Sequence, residues 1–427
     1  MVLLKNNIKL NFINKINKIF IKNIKNYSNY SLEHFKNAKK IGIHNIKEYK
    51  FKDNNLDFIL KNNFHLVRSF EELNLLNVKN ILNIDSYMLV FINGFLSYNL
   101  SNINTKIWKV KIEKGFNRKK LPLHLKSDFF LHLIESLSEE TVKITLPKNK
   151  NSLKPLYLLH INYGNVNSNI VNMINYRHHI DIKSYSKCHL IEHFLSEGEK
   201  KYFCGSRTSI IVNKMSYVNY LKIFNENKNT YHICNDDIII NKNTKVTSNI
   251  FVLKSGFNRN NINVKIQGKK SNIAIKSLSF ILNNNINEII THVENKKKFC
   301  YIDQLHKLIV KNNSIGIFNG VIKIYKNAIK SKSKMINNNL ILDSLSKIFT
   351  QPNLEINTDD VKCNHGATIC KIDLNQIFYL QTRGVSFKDA KKTLILAFTN
   401  DLIEINFNKK LFNLLLFEIN NILMGIL

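Results

Sequence analysis

The sequence has very little of the residue that usually anchors proteins to nucleic acid. Its 427 residues include 63 Lys and Arg against 31 Asp and Glu, a formal net charge of +32, yet only 6 are Arg. Phosphate recognition favours the planar Arg fork over the point charge of Lys. With 67 Asn and 57 Lys beside 6 Ala, 13 Gly and 4 Pro, the composition indicates an AT-rich genome, such as that of a reduced bacterial symbiont. The charge is therefore interpreted as background on a solvated surface.

Long apolar runs and paired cysteines are also missing. No stretch of 18 uncharged apolar residues occurs, which excludes an ordinary transmembrane helix. The six Cys form no C-x-x-C, so neither a disulfide framework nor a zinc ribbon is predicted. Residues 1–32 lack acids, as a transit peptide does, but scarce Arg favours a basic helix there. We therefore expect a bacterial cytoplasmic location rather than a plastid-type organelle.

Several catalytic signatures are absent. The sequence contains no G-x-S-x-G, H-E-x-x-H or G-x-G-x-x-G. The segment Gly268-Lys269-Lys270-Ser271 lacks both the upstream Gly and the residue order of a P-loop. The chain is therefore not expected to hydrolyse ATP itself.

What is present divides into three zones of different periodicity. Residues 1–150 are predicted to be α-rich, with a helix at 129–137 and a hairpin turning at Asn93-Gly94. Residues 151–370 alternate polar and apolar side chains over twelve short segments, which predicts an all-β core. Periodicity leaves a sandwich, a barrel or a solenoid open; abundant Asn, suited to left-handed corners and stacked ladders, hints at a solenoid.

Residues 371–427 are predicted to form a helical domain. Ser386 is a candidate N-cap, and Asp389 three residues later completes a capping box. A final apolar segment follows at 411–424. These helices should dock on the β core or on a partner, because they present apolar faces that so small a zone cannot bury. The first helix is predicted to use Ala390, Leu394, Ala397, Phe398, Leu402 and Ile405.

The densest group of chemically active side chains lies at the end of the β zone. Cys363 and His365, two apart on an extended chain, project to the same face, and a thiolate with an imidazole suits iron or zinc. A stable tetrahedral site needs four ligands, so Cys370 is a further candidate, and an accidental pair stays open. The neighbouring Asp359-Asp360 is interpreted as a solvated turn.

Other histidines are interpreted as structural. They lie in Tyr176-Arg177-His178-His179, in the run from Cys188-His189 to His193, and at His292 and His306. For each of them, a structural role as a hydrogen-bonded imidazole is a simpler interpretation than a role as a metal ligand.

The segment 354–368, with its Asp-Asp-Val-Lys-Cys-Asn-His-Gly-Ala-Thr core, resembles the signature of the SufD branch of the SufB/SufD family, scaffold subunits of the Suf iron–sulfur cluster assembly complex. The paralogous SufB branch is less similar here, because it lacks the Cys-x-His-Gly run. The resemblance covers about residues 30–406. It continues through 376–380, 383–385 and 389–390, and through earlier segments at 130–137, 176–179, 191–194, 304–307, 318–320 and 337–340.

The resemblance implies a right-handed parallel β-helix flanked by an α-rich N-terminal region and a C-terminal helical domain. It implies a non-catalytic scaffold that pairs with SufB through the β-helices and binds the SufC ATPase through its C-terminal helices. The sulfur donor SufS/SufE would be an indirect partner. A transient iron–sulfur cluster at the SufB–SufD interface is the implied cargo, and a reduced flavin is a further candidate cofactor of the full complex.

Carried over residue by residue, the resemblance makes His365 a cluster ligand opposite a SufB cysteine, with Cys363 beside it. The SufC interface would comprise Phe378, Tyr379, Leu380, Arg383, Gly384, Ala390, Leu394, Ala397 and Phe398. Two alternatives remain. A β-helix enzyme acting on polysaccharide needs a carboxylate cluster, for which only Asp359-Asp360 and Asp236-Asp237 are close acidic pairs in the β zone. A basic RNA-binding protein is the other.

Overall fold

The computed structural model describes residues 2–22, 27–42, 56–71, 73, 75, 78–103, 105–119, 121, 125–165, 167, 169–403 and 409–426. Within these described residues, seven α-helices flank the strands. They are α1 Val2–Lys22, α2 Asn29–Ile41, α3 Asp57–Leu60, α4 Phe129–Leu137, α5 Leu374–Thr382, α6 Phe387–Ile403 and α7 Lys409–Ile426.

Twenty strands build the centre of the molecule. They are β1 Asn63–Leu66, β2 Tyr87–Ile92, β3 Phe95–Ser97, β4 Lys109–Lys114, β5 Glu140–Leu146, β6 Leu156–Asn162, β7 Ile170–Ile182, β8 Lys187–Ser196, β9 Tyr202–Val212, β10 Tyr217–Asn225, β11 Thr230–Ile240, β12 Lys245–Lys254, β13 Phe257–Ile266, β14 Asn272–Ile281, β15 Ile286–Asn295, β16 Tyr301–Val310, β17 Ile315–Ile324, β18 Ser331–Ile341, β19 Lys347–Ile356 and β20 Val361–Lys371.

These strands form two ten-stranded sheets. The odd sheet has the order β19-β17-β15-β13-β11-β9-β7-β5-β4, with β1 beside β7, and the even sheet the order β20-β18-β16-β14-β12-β10-β8-β6-β2-β3. From β5 onward consecutive strands alternate between the sheets, and from β7 onward each pairs in parallel with the strand two places earlier. The result is a parallel β-solenoid of about seven turns, which confirms the β-helix expectation.

Asparagine supports the corners of this solenoid, as its abundance suggested. Asn283, Asn284, Asn312 and Asn313 all adopt positive φ, a conformation that Asn tolerates better than most residues. Their side chains also join successive turns, because Asn312 donates to Asn283 at 3.1 Å and Asn313 to Asn284 at 3.0 Å. The same residue type thus shapes the corner and links it to the next one.

Three apolar clusters hold the layers together. One fills the interior between the two sheets. A second joins the outer face of the even sheet to α6 and α7, and a third joins the outer face of the odd sheet to α1–α4. Each sheet therefore has its outer face covered by helices, as buried parallel sheets generally do.

Most predicted elements are found. The twelve predicted segments all overlap strands, α4 occupies 129–137, and β2 and β3 form the antiparallel hairpin at Asn93-Gly94. Ser386 accepts from the Asp389 amide at 3.1 Å, which confirms it as the N-cap, and its hydroxyl donates to the Asp389 carboxylate at 2.7 Å. Strands β1, β4, β5, β7, β18 and β20 were not predicted. In β7, β18 and β20 the Asn, His and Lys residues obscure the alternation.

Two further predictions need comment. Strands β2 and β5, which precede residue 150, pair with β6 and β7, which follow it. The division into domains at 1–150, 151–370 and 371–427 stays a prediction. The predicted apolar face of α6 is partly wrong in phase. Ala390 and Leu402 are buried as expected, but Ile395 and Thr399 share that face while Ala397 is exposed. Ile405 lies outside the described residues.

Candidate functional site

The last turn of the solenoid is open. Among the described strands, β19 is paired only with β17, and β20 only with β18, so each is the edge of its sheet. Most residues of β20 are exposed, whereas the strands of the middle turns are almost wholly buried. An unpaired strand edge is a template for pairing with another chain.

Cys363 and His365 lie together on this open turn. Cys363 stands opposite Ser333 and packs, with Val361, against the apolar cluster between the two sheets. His365 stands opposite Met335, which is fully buried in that cluster. The two side chains therefore share the interior-facing side of β20, with Cys363 half-buried and His365 exposed. A thiol and an imidazole are presented at the mouth of the solenoid.

Cys370 does not join this pair. It stands opposite Leu340, which belongs to the outer cluster of the even sheet, and its thiol donates to the Asn339 carbonyl at 3.3 Å. Seven residues of extended strand separate it from Cys363 by about 23 Å. The possibility that Cys370 completes a four-ligand site within this chain is therefore wrong for this conformation.

The neighbouring acidic pair has no catalytic arrangement. Asp359 and Asp360 are exposed in the turn between β19 and β20, as the interpretation of a solvated turn predicted. Asp236 and Asp237 are buried and paired with Lys222 at 2.7 Å and with Arg207 at 3.2 Å. The exposed pair therefore lies in a solvated turn, and the buried pair is inaccessible to a polysaccharide and already held by basic side chains.

An exposed aromatic surface, here called the α5 patch, lies just beyond the open turn. It consists of Phe378, 68% exposed, Tyr379, 58% exposed, and Arg383, whose guanidinium lies 5.4 Å from the Tyr379 ring centroid. Ile377 on the same helix is buried and fixes its orientation. A large apolar patch beside a cation, facing solvent, is typical of a protein-binding surface.

Gly384 sets the direction in which the chain leaves this patch. Its φ is 85°, a region open to glycine, and its amide donates to Gln381 at 2.9 Å while that of Val385 donates to Leu380 at 3.1 Å. These two bonds form a Schellman cap that ends α5. The cap lets α6 turn back onto the even sheet while the patch stays uncovered.

The other residues that the sequence analysis assigned to the SufC interface differ in how far they are exposed. Leu380, Leu394 and Phe398 are half-buried, and Ala397 is exposed. Ala390 is fully buried within this chain and offers no surface to a partner. The Phe398 ring covers the ammonium of Lys307 at 4.8 Å, and its carbonyl accepts from the same group at 2.6 Å.

A buried polar group that the sequence interpretation missed lies inside the solenoid, and we call it the interior cluster. His160 and His178 are in contact through their Nε2 atoms at 2.9 Å, Glu192 Oε1 lies 3.9 Å from His160, and Lys222 bridges Glu192 at 3.0 Å to Asp236 at 2.7 Å. Burial lowers the pKa of both imidazoles, that of His178 to about 4, so both are neutral at pH 7.

The sequence held one signal for this cluster. Glu192 lies between Leu190 and Phe194, and Lys222 between Tyr220 and Phe224, at positions where the alternation places apolar side chains. A charge at an inward position needs a partner, but the partner stands 30 residues away and only the register identifies it. As predicted, His178 and His193 are hydrogen-bonded, to His160 at 2.9 Å and to the Tyr157 hydroxyl at 2.9 Å.

A second buried charge group lies between α4 and the odd sheet. Arg177 Nε contacts Glu135 at 2.7 Å, Arg207 pairs with the same carboxylate, and Arg207 also reaches Asp237. Burial alone would raise the pKa of Glu135, but the two guanidinium groups hold it well below its usual range. This group locks α4 onto the strands behind it.

Comparison with known proteins agrees with this architecture. Residues 164–398, which include β20 and α5, match the family described as SUF system FeS cluster assembly, SufBD core domain. The iron-sulfur cluster assembly protein SufD of Escherichia coli is 36% identical over 323 residues, covering 76% of each chain. An iron-sulfur cluster assembly SufBD family protein of Synechocystis is 24% identical over 334 residues, covering 74% of this chain and 73% of its own. Protein ABCI7, chloroplastic, of Arabidopsis thaliana is 36% identical over 102 residues, or 24% of this chain and 22% of that protein.

The chain is thus a helix-flanked parallel β-solenoid that presents a thiol and an imidazole at its open turn. With the family match over more than half of its length, the chain belongs to the SufBD family as a SufD-type member, and its role lies in iron–sulfur cluster assembly. Within the described part of the chain, no helix has both the length and the apolar character needed to cross a bilayer.

Proposed function

We propose that this chain is a non-catalytic scaffold subunit that pairs with a SufB subunit at its open turn and binds the SufC ATPase through the α5 patch. The observation that supports the pairing is the unpaired edge of β19 and β20, since a second solenoid of the same family can dock against these strands. The names of its relatives, assembly proteins rather than enzymes, are consistent with a scaffold.

The nascent iron–sulfur cluster would be cargo held at this junction. His365 is exposed and Cys363 half-buried on the same side of β20, and thiolate and imidazole both suit iron. Two ligands from one chain do not fill a tetrahedral iron site. A cysteine from the SufB subunit opposite supplies a further ligand, so that neither subunit holds the cluster alone. A reduced flavin, if the full complex binds one, supplies electrons there.

The α5 patch is proposed as the SufC-binding surface. Phe378 and Tyr379 expose most of their area, and aromatic side chains beside an Arg are enriched at the energetically dominant centres of interfaces. The patch lies on the chain directly after β20, so a movement of the ATPase can reach the cluster junction through α5. Partners beyond these two, including the sulfur donor SufS/SufE, act on the complex indirectly.

Co-expression with SufB and SufC under anaerobic conditions tests the cluster site. In His365→Ala, we expect iron and acid-labile sulfide in the purified complex to fall to background while both partners still co-purify. The control is Asn364→Ala, the next residue on β20, which points to the opposite face and should keep wild-type iron and sulfide. Unchanged sulfide in His365→Ala would refute the assignment.

A further inference from the structure

We propose that the interior cluster is a binding site for one divalent transition-metal ion, Zn²⁺ or Fe²⁺, with His160, His178 and Glu192 as its ligands. The ligand atoms of these three side chains all lie within 4.8 Å of one another. Two imidazoles and one carboxylate form a donor set that binds zinc and ferrous iron in many proteins. All three residues are fully buried, so the site is shielded from competing water.

Hydrogen bonds orient the His160 ring as a ligand. Its Nδ1 lies 3.4 Å from the carbonyl oxygen of His193, which can only accept, so Nδ1 carries the proton. The Nε2 of His160 then has its lone pair directed at His178, where it accepts from the Nε2–H of that ring at 2.9 Å until an ion takes the place of the proton. A metal-ligating histidine usually donates its other ring N–H to a carbonyl or carboxylate in this way.

The two imidazole nitrogens need to move little to admit an ion. Their Nε2 atoms are 2.9 Å apart, whereas two nitrogens on a tetrahedral ion at about 2.05 Å stand roughly 3.3 Å apart. The His160 ring is sandwiched between Phe91 and Phe194, at centroid distances of 4.9 Å and 4.2 Å, which keeps its plane fixed. Among the described residues His178 Nδ1 has no hydrogen-bond partner, so the bond that the ring gives up when an ion enters is its Nε2 contact with His160.

The two oxygens of Glu192 have separate roles. Oε2 contacts the Lys222 ammonium at 3.0 Å and accepts from the Tyr220 hydroxyl. Oε1 faces His160 and accepts at 2.9 Å from a neutral hydroxyl, that of Thr208. The oxygen that would bind the metal is therefore the one that the ammonium does not occupy.

The charge of the surroundings favours a cation. Glu192 and Asp236 contribute two negative charges and Lys222 one positive charge, while the imidazoles are neutral, which leaves the cluster with a net charge of −1. Burying a cation is costly unless charges of opposite sign are close to it. Asp236 keeps Lys222 paired when the ion takes up part of the charge of Glu192.

This site is separate from the open turn. The register leads from Glu192 through Lys222, Ile250, Ser277, His306 and Asn337 to Ala367, six strand spacings of about 4.8 Å, or roughly 29 Å in all. The inference does not rest on the proposed function. The interior ion carries no acid-labile sulfide, which distinguishes it from a cluster at His365.

Cobalt uptake by the full chain tests the proposal. The parent protein carries Cys363→Ser and His365→Ala, so that the open turn binds no cobalt. It is produced in medium supplemented with Co²⁺. We expect about one equivalent of bound cobalt with a visible d–d absorption band and no thiolate-to-metal charge-transfer band. His178→Asn and Glu192→Gln, each made in this background, should lower the bound cobalt at least tenfold.

The matched control is His306→Asn, which removes a fully buried, inward-facing histidine elsewhere in the solenoid and should leave cobalt binding unchanged. Equal cobalt in all variants, or none in the parent protein, would overturn the proposal. If the cluster variants do not fold, X-ray absorption on the parent protein decides. A shell of two imidazoles and oxygen supports the site, and sulfur in that shell refutes it.

Discussion

At the scale of single residues, Glu135 is the most constrained charge in the molecule. Arg177 and Arg207 both contact its carboxylate, and all three side chains are fully buried. Removing one partner of a buried ion group leaves an uncompensated charge in a medium that solvates it poorly.

We therefore expect Glu135→Gln to lower the free energy of unfolding by about 3–5 kcal/mol. Urea denaturation measures this change. The control is Glu355→Gln, which breaks a pair of similar length, 2.8 Å to Lys323, at a position half-exposed to solvent. An exposed pair contributes about 0–1 kcal/mol, so equal losses in the two variants would contradict the role given to burial.

His306 gives the molecule a defined sensitivity to acid. It is hydrogen-bonded to Ser277 at 2.7 Å and to Gln304 at 3.1 Å, and burial lowers its pKa to about 3. The unfolded chain protonates a histidine near pH 6.5, whereas the folded protein does not until about pH 3. Stability from this residue is complete above pH 6.5 and is lost as the pH falls from 6.5 towards 3.

His306→Gln should remove that dependence. Between pH 7 and pH 5 the wild type is expected to lose about 2 kcal/mol more stability than the variant, at roughly 1.4 kcal/mol per pH unit below 6.5. Between pH 8 and pH 7 the two proteins should change in parallel, which serves as the internal control. If the urea midpoints of the two proteins changed in parallel with pH over the whole range, His306 would not titrate as described.

Residue-scale prediction from sequence worked where partners are close in the chain. The shared face of Cys363 and His365 follows from their spacing of two, and the Ser386–Asp389 box from a spacing of three. The pairing of Glu192 with Lys222 could not be predicted, because the length of each solenoid turn varies. Lys222 stands 30 residues after Glu192, but Ile250 stands 28 after Lys222.

At the scale of secondary-structure elements, α7 is the cover of the even sheet. Its buried residues recur at three- and four-residue spacing and join the outer cluster of the sheet; they are Leu411, Leu415, Ile419, Ile422, Leu423 and Ile426. The sequence predicted an apolar helix here but not the surface against which it packs. An apolar face shows that a helix is buried and does not show against what.

Ile419→Ala is expected to lower the free energy of unfolding by about 2–4 kcal/mol, because it opens a cavity between α7 and the sheet. Phe417→Ala, on the same helix but 62% exposed, removes a larger side chain and should change stability by less than about 0.5 kcal/mol. Urea denaturation of both variants measures the contrast. Comparable losses would mean that α7 does not sit on the sheet as described.

The role of α7 also affects how the interfaces are studied. Truncation after β20 removes α5 together with α6 and α7, and so exposes buried side chains of the even sheet such as Phe251 and Leu253. Loss of a partner by a truncated chain would therefore report unfolding as well as a missing surface. Point substitutions in exposed residues avoid this ambiguity.

At the scale of the whole molecule, the two proposed interfaces are separate surfaces at the same end of the solenoid. The open turn presents Ile356 and Ile369 at strand edges, 43% and 48% exposed, and the α5 patch presents Phe378 and Tyr379. The open turn is the last turn of the solenoid, and the α5 patch comes directly after it in the chain. Each should therefore be removable without affecting the other.

We expect the double variant Phe378→Ala with Tyr379→Ala to lose SufC while it retains SufB, because it removes the aromatic area of the patch and leaves the strand edges intact. The double variant Ile356→Lys with Ile369→Lys should do the reverse, since a charge on an edge strand disfavours pairing with another strand. Pull-down from cells that co-express all three subunits, with partner ratios read by quantitative mass spectrometry, measures both outcomes.

Substituting the cluster Lys296-Lys297-Lys298 by Gln should leave the amounts of both co-purified partners unchanged, because the +32 charge is interpreted as background. Loss of both partners in either aromatic or edge variant would show that the two surfaces form one interface.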